Sequence, residues 1–470
     1  MSYKLLIDGK LVDGASTLEV INPATGAVFA TCARADEEQL EQAIAAARRA
    51  FPAWAALSHD ERRGYLVRLA DAMEARQGEF AELLTREQGK PLPFATAEVA
   101  YSIGALRYFA EQDFPLTTRR ETQNGRILEQ RTPLGVVGAI TPWNFPVALL
   151  LIKVGPALST GNTMVAKPAP TTPLTTALLG EVASRILPPG VFNVIIDAND
   201  LGGKITSHPD VAKVTFTGSS ATGKRVMASA ADTIKRLTLE LGGNDAAIIL
   251  DDIDVKEVAA KVFSAGMLNS GQICLAAKRI YAPRTIYDAL CDELGNLARQ
   301  AVVDDGLNQG AQIGPVQNRL QYEKVLGFIE GARGQGRVVA GGSALPRQGY
   351  FIQPTIIRDL PDDAPLVREE QFGPVIPVLA YDTIDEVIER VNSSEFGLGG
   401  TIWTNDADRG LQVALRIQSG TVWVNQHLDM PYDTPYGGAK QSGIGRESGI
   451  EGMKEFTQSK IINIADKTAA

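Results

Sequence analysis

The sequence predicts an α/β protein built from two open α/β domains and a small β arm. Three observations carry this expectation. From 134 to 241, strand-like apolar runs alternate with helical patterns, the order that produces a parallel sheet with right-handed crossovers. From about 242 to 440 the same alternation returns without any repetition of sequence. Between the opening helices and the first alternation, 119–131 holds two polar runs around Asn124-Gly125, a two-residue hairpin signal.

A short strand at 4–7 opens the chain. Ser58 and Glu61 then form a capping-box signature ahead of Tyr65, Leu66, Leu69 and Met73, which recur at helical spacing. The polar hairpin is either a solvated surface feature or an arm that reaches a neighbouring subunit. Buried strands are expected at 136–141, 164–166, 192–196 and 214–216. Between them Thr172-Pro173 caps a helix bearing Leu174, Leu178 and Val182 on one face, Pro189-Gly190 marks its exit, and another helix follows Ser219. In the second half, helices are expected at 255–268, 286–297 and 321–329, and strands at 279–281, 338–340, 375–379 and 422–425. The division that results is 1–115 with 135–241 as the first domain and 242–441 as the second. Residues 116–134 with 455–470 form the arm, and 442–454 returns to the first domain. In an open α/β sheet the ligand sits at the carboxyl ends of the strands.

Composition narrows the function. The 470 residues are 44% hydrophobic and 21% charged, an ordinary globular balance, and a net charge of −9 disfavours nonspecific nucleic-acid binding. Cysteine and histidine are scarce: Cys32, Cys274 and Cys291; His59, His208 and His427. An odd, sparse set of cysteines is no disulfide framework and points to the reducing cytoplasm, and no two of these six residues stand at zinc-ligand spacing. The first residues meet charge at Lys4, too soon for a signal peptide, so the start reads as mature protein. The longest apolar runs, 147–152 and 246–250, are far short of a membrane span.

Cys291 lies on the apolar stripe of a helix and Cys32 in a strand-like run, so both read as core filler. Cys274 instead follows Asn269-Ser270-Gly271-Gln272-Ile273, where a helical pattern breaks into small polar residues, and is the candidate nucleophile. Of the histidines, only His427, just beyond a strand, is placed to serve a site. Glu240 ends the strand Leu237-Thr238-Leu239-Glu240 and precedes Gly242-Gly243; it is either an outward strand residue or a functional carboxylate at a strand's carboxyl end. Phe216-Thr217-Gly218-Ser219 is a strand followed by a glycine turn and a helix start, an anion cradle suited to a diphosphate. It matches neither Gly-x-Gly-x-x-Gly nor a P-loop, and 443–449 is a decoy one residue too long for the former.

Five motifs occur together and in order. Thr141-Pro142-Trp143-Asn144-Phe145-Pro146, Glu240-Leu241-Gly242-Gly243, Gly271-Gln272-Ile273-Cys274, Glu370-Gln371-Phe372-Gly373-Pro374, and Pro435-Tyr436-Gly437-Gly438-x-Lys440-x-Ser442-Gly443 make the chain resemble the NAD(P)-dependent aldehyde dehydrogenase superfamily over essentially its whole length. The resemblance implies a Rossmann-like cofactor domain, a catalytic domain and an oligomerisation arm, hence a homodimer or homotetramer. It implies Cys274 as nucleophile, Asn144 with the Cys274 N–H as oxyanion donors, and Glu240 as the base that hydrolyses a thioester; the CoA-acylating branch lacks this glutamate. For NAD or NADP it implies Lys167 at the adenosine ribose, Gly218 and Ser219 at the pyrophosphate, Trp143 in the cleft, and Glu370 with Phe372 around the nicotinamide ribose. Two departures stand out: Pro170 occupies the place where NAD-preferring relatives often carry a glutamate, and 197–200 lacks the glycines many relatives have.

Substrate-facing positions implied by nearness to the motifs are Phe145, Leu149, Ile152, Ile273, Leu275, His427, Tyr432 and Tyr436. Most are apolar and none is arginine, which favours a hydrophobic aliphatic or aromatic aldehyde over a succinate-type semialdehyde. The alternatives from other classes are a catalytically inactive homologue with a structural or binding role, and a hydrolase pairing Cys274 with His427.

Overall fold

The computed structural model describes residues 3–465. Two large sheets dominate. The first runs Lys10–Val12, Leu5–Ile7, Phe192–Val194, Thr163–Lys167, Val136–Ile140, Val211–Thr217, Arg236–Glu240 and Gly443–Ile444. Its four central pairings are parallel, and antiparallel strands close both edges. The central strands read as unbroken apolar runs because helices cover both faces; Val136–Ile140 and Thr163–Lys167 are buried at every position. The last strand before the strand end that carries Glu240 is thus set by register, with Thr217 opposite Glu240.

The second sheet runs Arg337–Ala340, Thr355–Arg358, Val375–Tyr381, Arg279–Pro283, Ala246–Ile249, Gly399–Trp403 and Thr421–Val424, parallel except at its first pair. Strands Ala246–Ile249, Thr355–Arg358 and Gly399–Trp403 were not expected as strands from the sequence. The strand-like run that holds Cys32 is the strand Ala27–Arg34, with Cys32 buried, and it pairs with Ser16–Asn22, which the sequence did not predict.

A third sheet joins Thr457–Ala465 to Gly125–Pro133 and Thr117–Thr122. The hairpin exists, but its turn is Gln123-Asn124, one residue earlier than expected: Thr122 pairs with Gly125, whose φ of +144° lets it begin the return strand. The far end of the expected arm, 466–470, lies outside the described residues. The expected helix cap at Thr172-Pro173 is also replaced. Helix Leu174–Ser184 has no cap from a neighbouring side chain in sequence. Instead the buried Glu87 carboxylate accepts the Leu174 and Thr175 N–H groups at 2.7 and 2.9 Å and the Thr175 hydroxyl. The Ser58/Glu61 capping box forms as expected.

No helix among the described residues is long and apolar enough to cross a membrane.

Candidate active site

Helix Val255–Met267 ends in three left-handed residues, Asn269, Ser270 and Gly271, with φ of 52°, 58° and 71°. Consecutive non-glycine residues in this region store strain and mark a segment held for use. The bend delivers Cys274, half-buried, to a cleft between the two large sheets. That cleft, about 190 Å³, is lined by Trp143, Asn144, Gly218, Ser219, Cys274, Glu370 and Phe372 among others. A larger surface hollow of about 460 Å³ around Phe94, Phe263 and Leu297 contains no cysteine, histidine or carboxylate, so volume alone does not mark the chemistry.

Each side of the cleft has a reason in the sequence. A Cβ on Gly242 would fall 2.4 Å from Glu370 Oε2, and one on Gly243 would fall 2.6 Å from the Cys274 carbonyl. The paired glycines after Glu240 therefore admit the cysteine loop and Glu370. Glu370 accepts the Gly243 N–H at 3.1 Å. Gln321 donates to the Gln371 and Phe372 carbonyls, holding Phe372 at φ 50° with its ring edge-on to Trp143, 5.3 Å between centroids. Opposite, Asn144 donates through Nδ2 to the Gln272 carbonyl at 3.0 Å. Its own carbonyl accepts from Lys90 at 2.9 Å and Asn269 at 3.1 Å. Lys90 is buried, paired with Glu98 and 3.7 Å from the Phe145 ring centroid. Glu98 in turn accepts the Val147 and Ala148 N–H groups.

Glu240 is buried, and its Oε1 has no protein partner among the described residues. Burial pushes its pKa well above the ordinary carboxylate range; Glu447 adds to the rise, while Lys153 and Arg446 oppose it. Behind it lies a buried network: Lys153 pairs with Glu447 and donates to Thr217, and Tyr436 donates to Glu447 at 2.9 Å. Burial also pushes the Cys274 thiol up to about 12, with Lys278 opposing and Glu370, Asp245 and Glu240 reinforcing. His427 stacks edge-on to Trp423 at 5.1 Å, and burial lowers its pKa to about 4. A neutral, weakly basic imidazole is poorly suited to activate a thiol.

The remaining candidates divide. Ser219 caps helix Ser220–Ala230 by accepting from Thr222, and Gly218 donates to the Glu240 carbonyl. Lys167 does not line the cleft; its ammonium lies 2.7 Å from Asp197, which also accepts the Leu201 N–H. Phe145, Ile273 and Leu275 cluster with Trp423, Leu428 and Cys274. Leu149, Ile152, Tyr432 and Tyr436 belong instead to an adjoining cluster with Tyr101, Tyr108 and Phe114, and Met430 joins the two. Tyr436 turns its hydroxyl into the buried network, donating to Glu447. Sequence reasoning missed Lys90, Glu98, Lys153, Glu447 and Lys278, and noted Asp197 only as part of the non-glycine turn 197–200. Charged residues inside otherwise apolar or helical stretches, such as Lys153 in 148–159, were the available signal. Among the described residues no group of three or more His, Cys, Asp or Glu could hold a metal.

Comparison with known proteins agrees with this geometry. The family model described as "Aldehyde dehydrogenase family" matches residues 11–462. A mitochondrial aldehyde dehydrogenase of Leishmania tarentolae is 40% identical over 99% of this chain and 95% of its own length. The NAD+ complex of an aldehyde dehydrogenase from Bacillus cereus superposes with a TM-score of 0.97 at 37% identity, covering 99% of this chain and 97% of that one. An NADP-dependent enzyme from E. coli gives 0.96 at 36% identity, covering 99% and 98%. The chain belongs to the aldehyde dehydrogenase family. It is an oxidoreductase that converts an aldehyde to the carboxylic acid with NAD or NADP.

Proposed function

We propose that Cys274 carries this oxidation. The thiolate sulfur bonds to the aldehyde carbon while the carbonyl π pair moves onto oxygen. The oxyanion takes hydrogen bonds from the Cys274 N–H and from Asn144, whose amide has a second N–H beyond the one given to Gln272. Hydride leaves the tetrahedral carbon and a thioester remains on Cys274. Glu240 then takes a proton from water, the hydroxide adds to the thioester carbonyl, and the C–S bond breaks to release the acid and restore the thiolate. A buried carboxylate whose pKa burial raises well above the ordinary range is a stronger base for that step. The observation that carries the reading is the convergence of Cys274, Asn144, Ser219 and Glu370 on one cleft, with the Glu240 charge acting on Cys274.

The donor set of the cleft fits the nicotinamide half and diphosphate of a nicotinamide dinucleotide: a helix N-terminus at Ser219 for the diphosphate, the Glu370 carboxylate for a ribose diol, Trp143 and Phe372 as aromatic walls, and Gly218 at the turn; Lys167, expected at the second ribose, lies outside the cleft lining beside Asp197. When bound, the cofactor supplies the hydride acceptor. We infer a preference for NAD: Pro170 removes one acid, but the buried Asp197 holds the Lys167 ammonium at 2.7 Å and so neutralises the cation that would otherwise attract a 2′-phosphate.

We infer a hydrophobic aldehyde as substrate. The half-buried cluster of Tyr101, Tyr108, Phe114, Leu149, Met430 and Tyr432, joined through Met430 to the cluster around Cys274, is apolar. Two nearby guanidinium groups are engaged elsewhere: Arg279 donates to the Asn244 carbonyl and the Tyr281 hydroxyl, and Arg131 is bound to Thr457 and Glu129. A homo-oligomer joined through the β arm, and residence in the reducing cytoplasm, complete the proposal; all three cysteines are free.

The test is turnover of hexanal, benzaldehyde and succinate semialdehyde with each cofactor, without CoA, followed by reduced-nicotinamide absorbance. Cys274→Ser should be inactive, and Glu240→Gln should give one burst of reduced cofactor and then stall. Turnover by Cys274→Ser would overturn the mechanism, and the highest kcat/KM for succinate semialdehyde would overturn the substrate class.

A further inference from the structure

We propose that Lys278 is a positioning residue that holds the oxyanion-binding peptide from behind and sets the ionisation of Cys274. Its side chain is buried, and its ammonium carries three N–H donors. Two go to backbone carbonyls, Ile273 and Cys274, each at 2.6 Å. The third direction faces Glu370 Oε1 at 3.4 Å. The two carbonyls flank the Cys274 Cα, so one cation fixes the peptides on both sides of the nucleophile.

The consequence follows from peptide geometry. The Ile273 carbonyl and the Cys274 N–H belong to one planar trans peptide and point in opposite directions. Anchoring that carbonyl to Lys278 turns the Cys274 N–H away from Lys278, and no protein acceptor among the described residues takes that N–H. The cation also draws electron density toward the carbonyl oxygen and makes the opposite N–H a better donor. The charged groups acting on the Cys274 sulfur are Lys278, Glu370, Asp245 and Glu240. Only Lys278 among them favours the thiolate. Its own position is secured on every side: its N–H donates to the Asp245 carbonyl at 3.0 Å, and its carbonyl accepts from Gln371 at 3.0 Å. A single lysine thereby links the nucleophile loop to Glu370, the candidate ribose ligand.

This inference rests on Cys274 being the nucleophile, and the experiment separates the two. Iodoacetamide modification of Cys274 is followed against pH by peptide mass in the full-length protein, without turnover. Lys278→Met should move the profile upward, slowing modification at fixed pH by about tenfold or more, the effect of losing one nearby opposite charge. It should also lower kcat/KM by about a hundredfold, as expected for a weakened oxyanion donor. Lys278→Arg, which restores the charge, should move the modification profile back. A folded Lys278→Met protein with the wild-type modification profile would overturn the proposal. Should Lys278→Met fail to fold, Lys278→Gln is read in the same way, and Glu370→Gln should shift the profile downward; no shift there would equally count against the electrostatic coupling. Wild-type enzyme that keeps full turnover after complete Cys274 modification would instead overturn the nucleophile itself.

Discussion

At the scale of single residues, the cleft opposes the role proposed for its thiol. Burial raises both Cys274 and Glu240, whereas the proposed mechanism uses each as an anion. Below a raised pKa the anionic fraction grows about tenfold for each pH unit. We therefore expect kcat/KM, which in the proposed mechanism reports the step carried by Cys274, to climb steadily from about pH 6 to about pH 9, the direction set by a thiol titrating above its ordinary value. A flat profile over that range, measured with saturating cofactor, would contradict it. Asp197 carries the second prediction at this scale. Asp197→Ala removes the charge beside Lys167 and should raise the NADP-to-NAD ratio of kcat/KM by about tenfold or more. An unchanged ratio would assign cofactor choice elsewhere.

At the scale of elements, two connections matter more than the regular structure they join. The left-handed bend at 269–271 is sterically closed: a Cβ on Gly271 would lie 2.2 Å from the Gly373 carbonyl, on the loop that carries Glu370 and Phe372. Gly271→Ala should displace both loops together, lowering kcat and weakening cofactor binding measured by fluorescence quenching. Loss of only one would show that the loops are not coupled. Glu87 offers a stability test. It lies far in sequence from the helix it caps, and burial raises its pKa from 4.5 to about 7 against the opposing hydrogen bonds from Thr175 and Leu174. A carboxyl raised on folding contributes most below about pH 4.5 and loses that contribution as pH climbs to about 7. Glu87→Ala strands three buried donors and should cost about 2 to 4 kcal/mol. For Glu87→Gln, the gap in melting temperature from wild type should narrow between about pH 5 and about pH 8.

At the scale of the whole molecule, the β arm stands apart from the two sheets that build the cleft. Strand Thr117–Thr122 is exposed throughout, and Ile461 and Ile464 on Thr457–Ala465 are exposed apolar side chains. An unprotected edge with apolar residues is a surface that sheets normally cover. Replacing Ile461 and Ile464 together with arginine should reduce the mass in light scattering to that of one subunit, 50.3 kDa. An unchanged mass would remove the arm from assembly.

How much of this was legible beforehand varied with the distance over which the deciding interaction acts. Capping of 59–74, the parallel order of the first sheet and the apolar identity of its strands are set by neighbours a few residues apart, and these appear in the sequence as spacing. The hairpin was visible but its turn was off by one, because the choice between Gln123-Asn124 and Asn124-Gly125 depends on register with Thr457–Ala465 as much as on the turn itself. The motif residues Cys274, Glu240, Asn144 and Glu370 could be named from the chain, along with the reaction class they suggest.

What only tertiary structure decided was charge. Lys90 with Glu98 and Lys153 with Glu447 are buried partners, buried Lys278 faces the part-buried Glu370, and the last two pairs are separated by 294 and 92 residues in sequence. A buried ion survives only beside its counter-charge, and which counter-charge it meets is fixed by how sheets and loops dock. The sequence by itself determined that this is an α/β enzyme with one thiol set apart from the core. The fold decided which lysines stand behind that thiol and what they make of it.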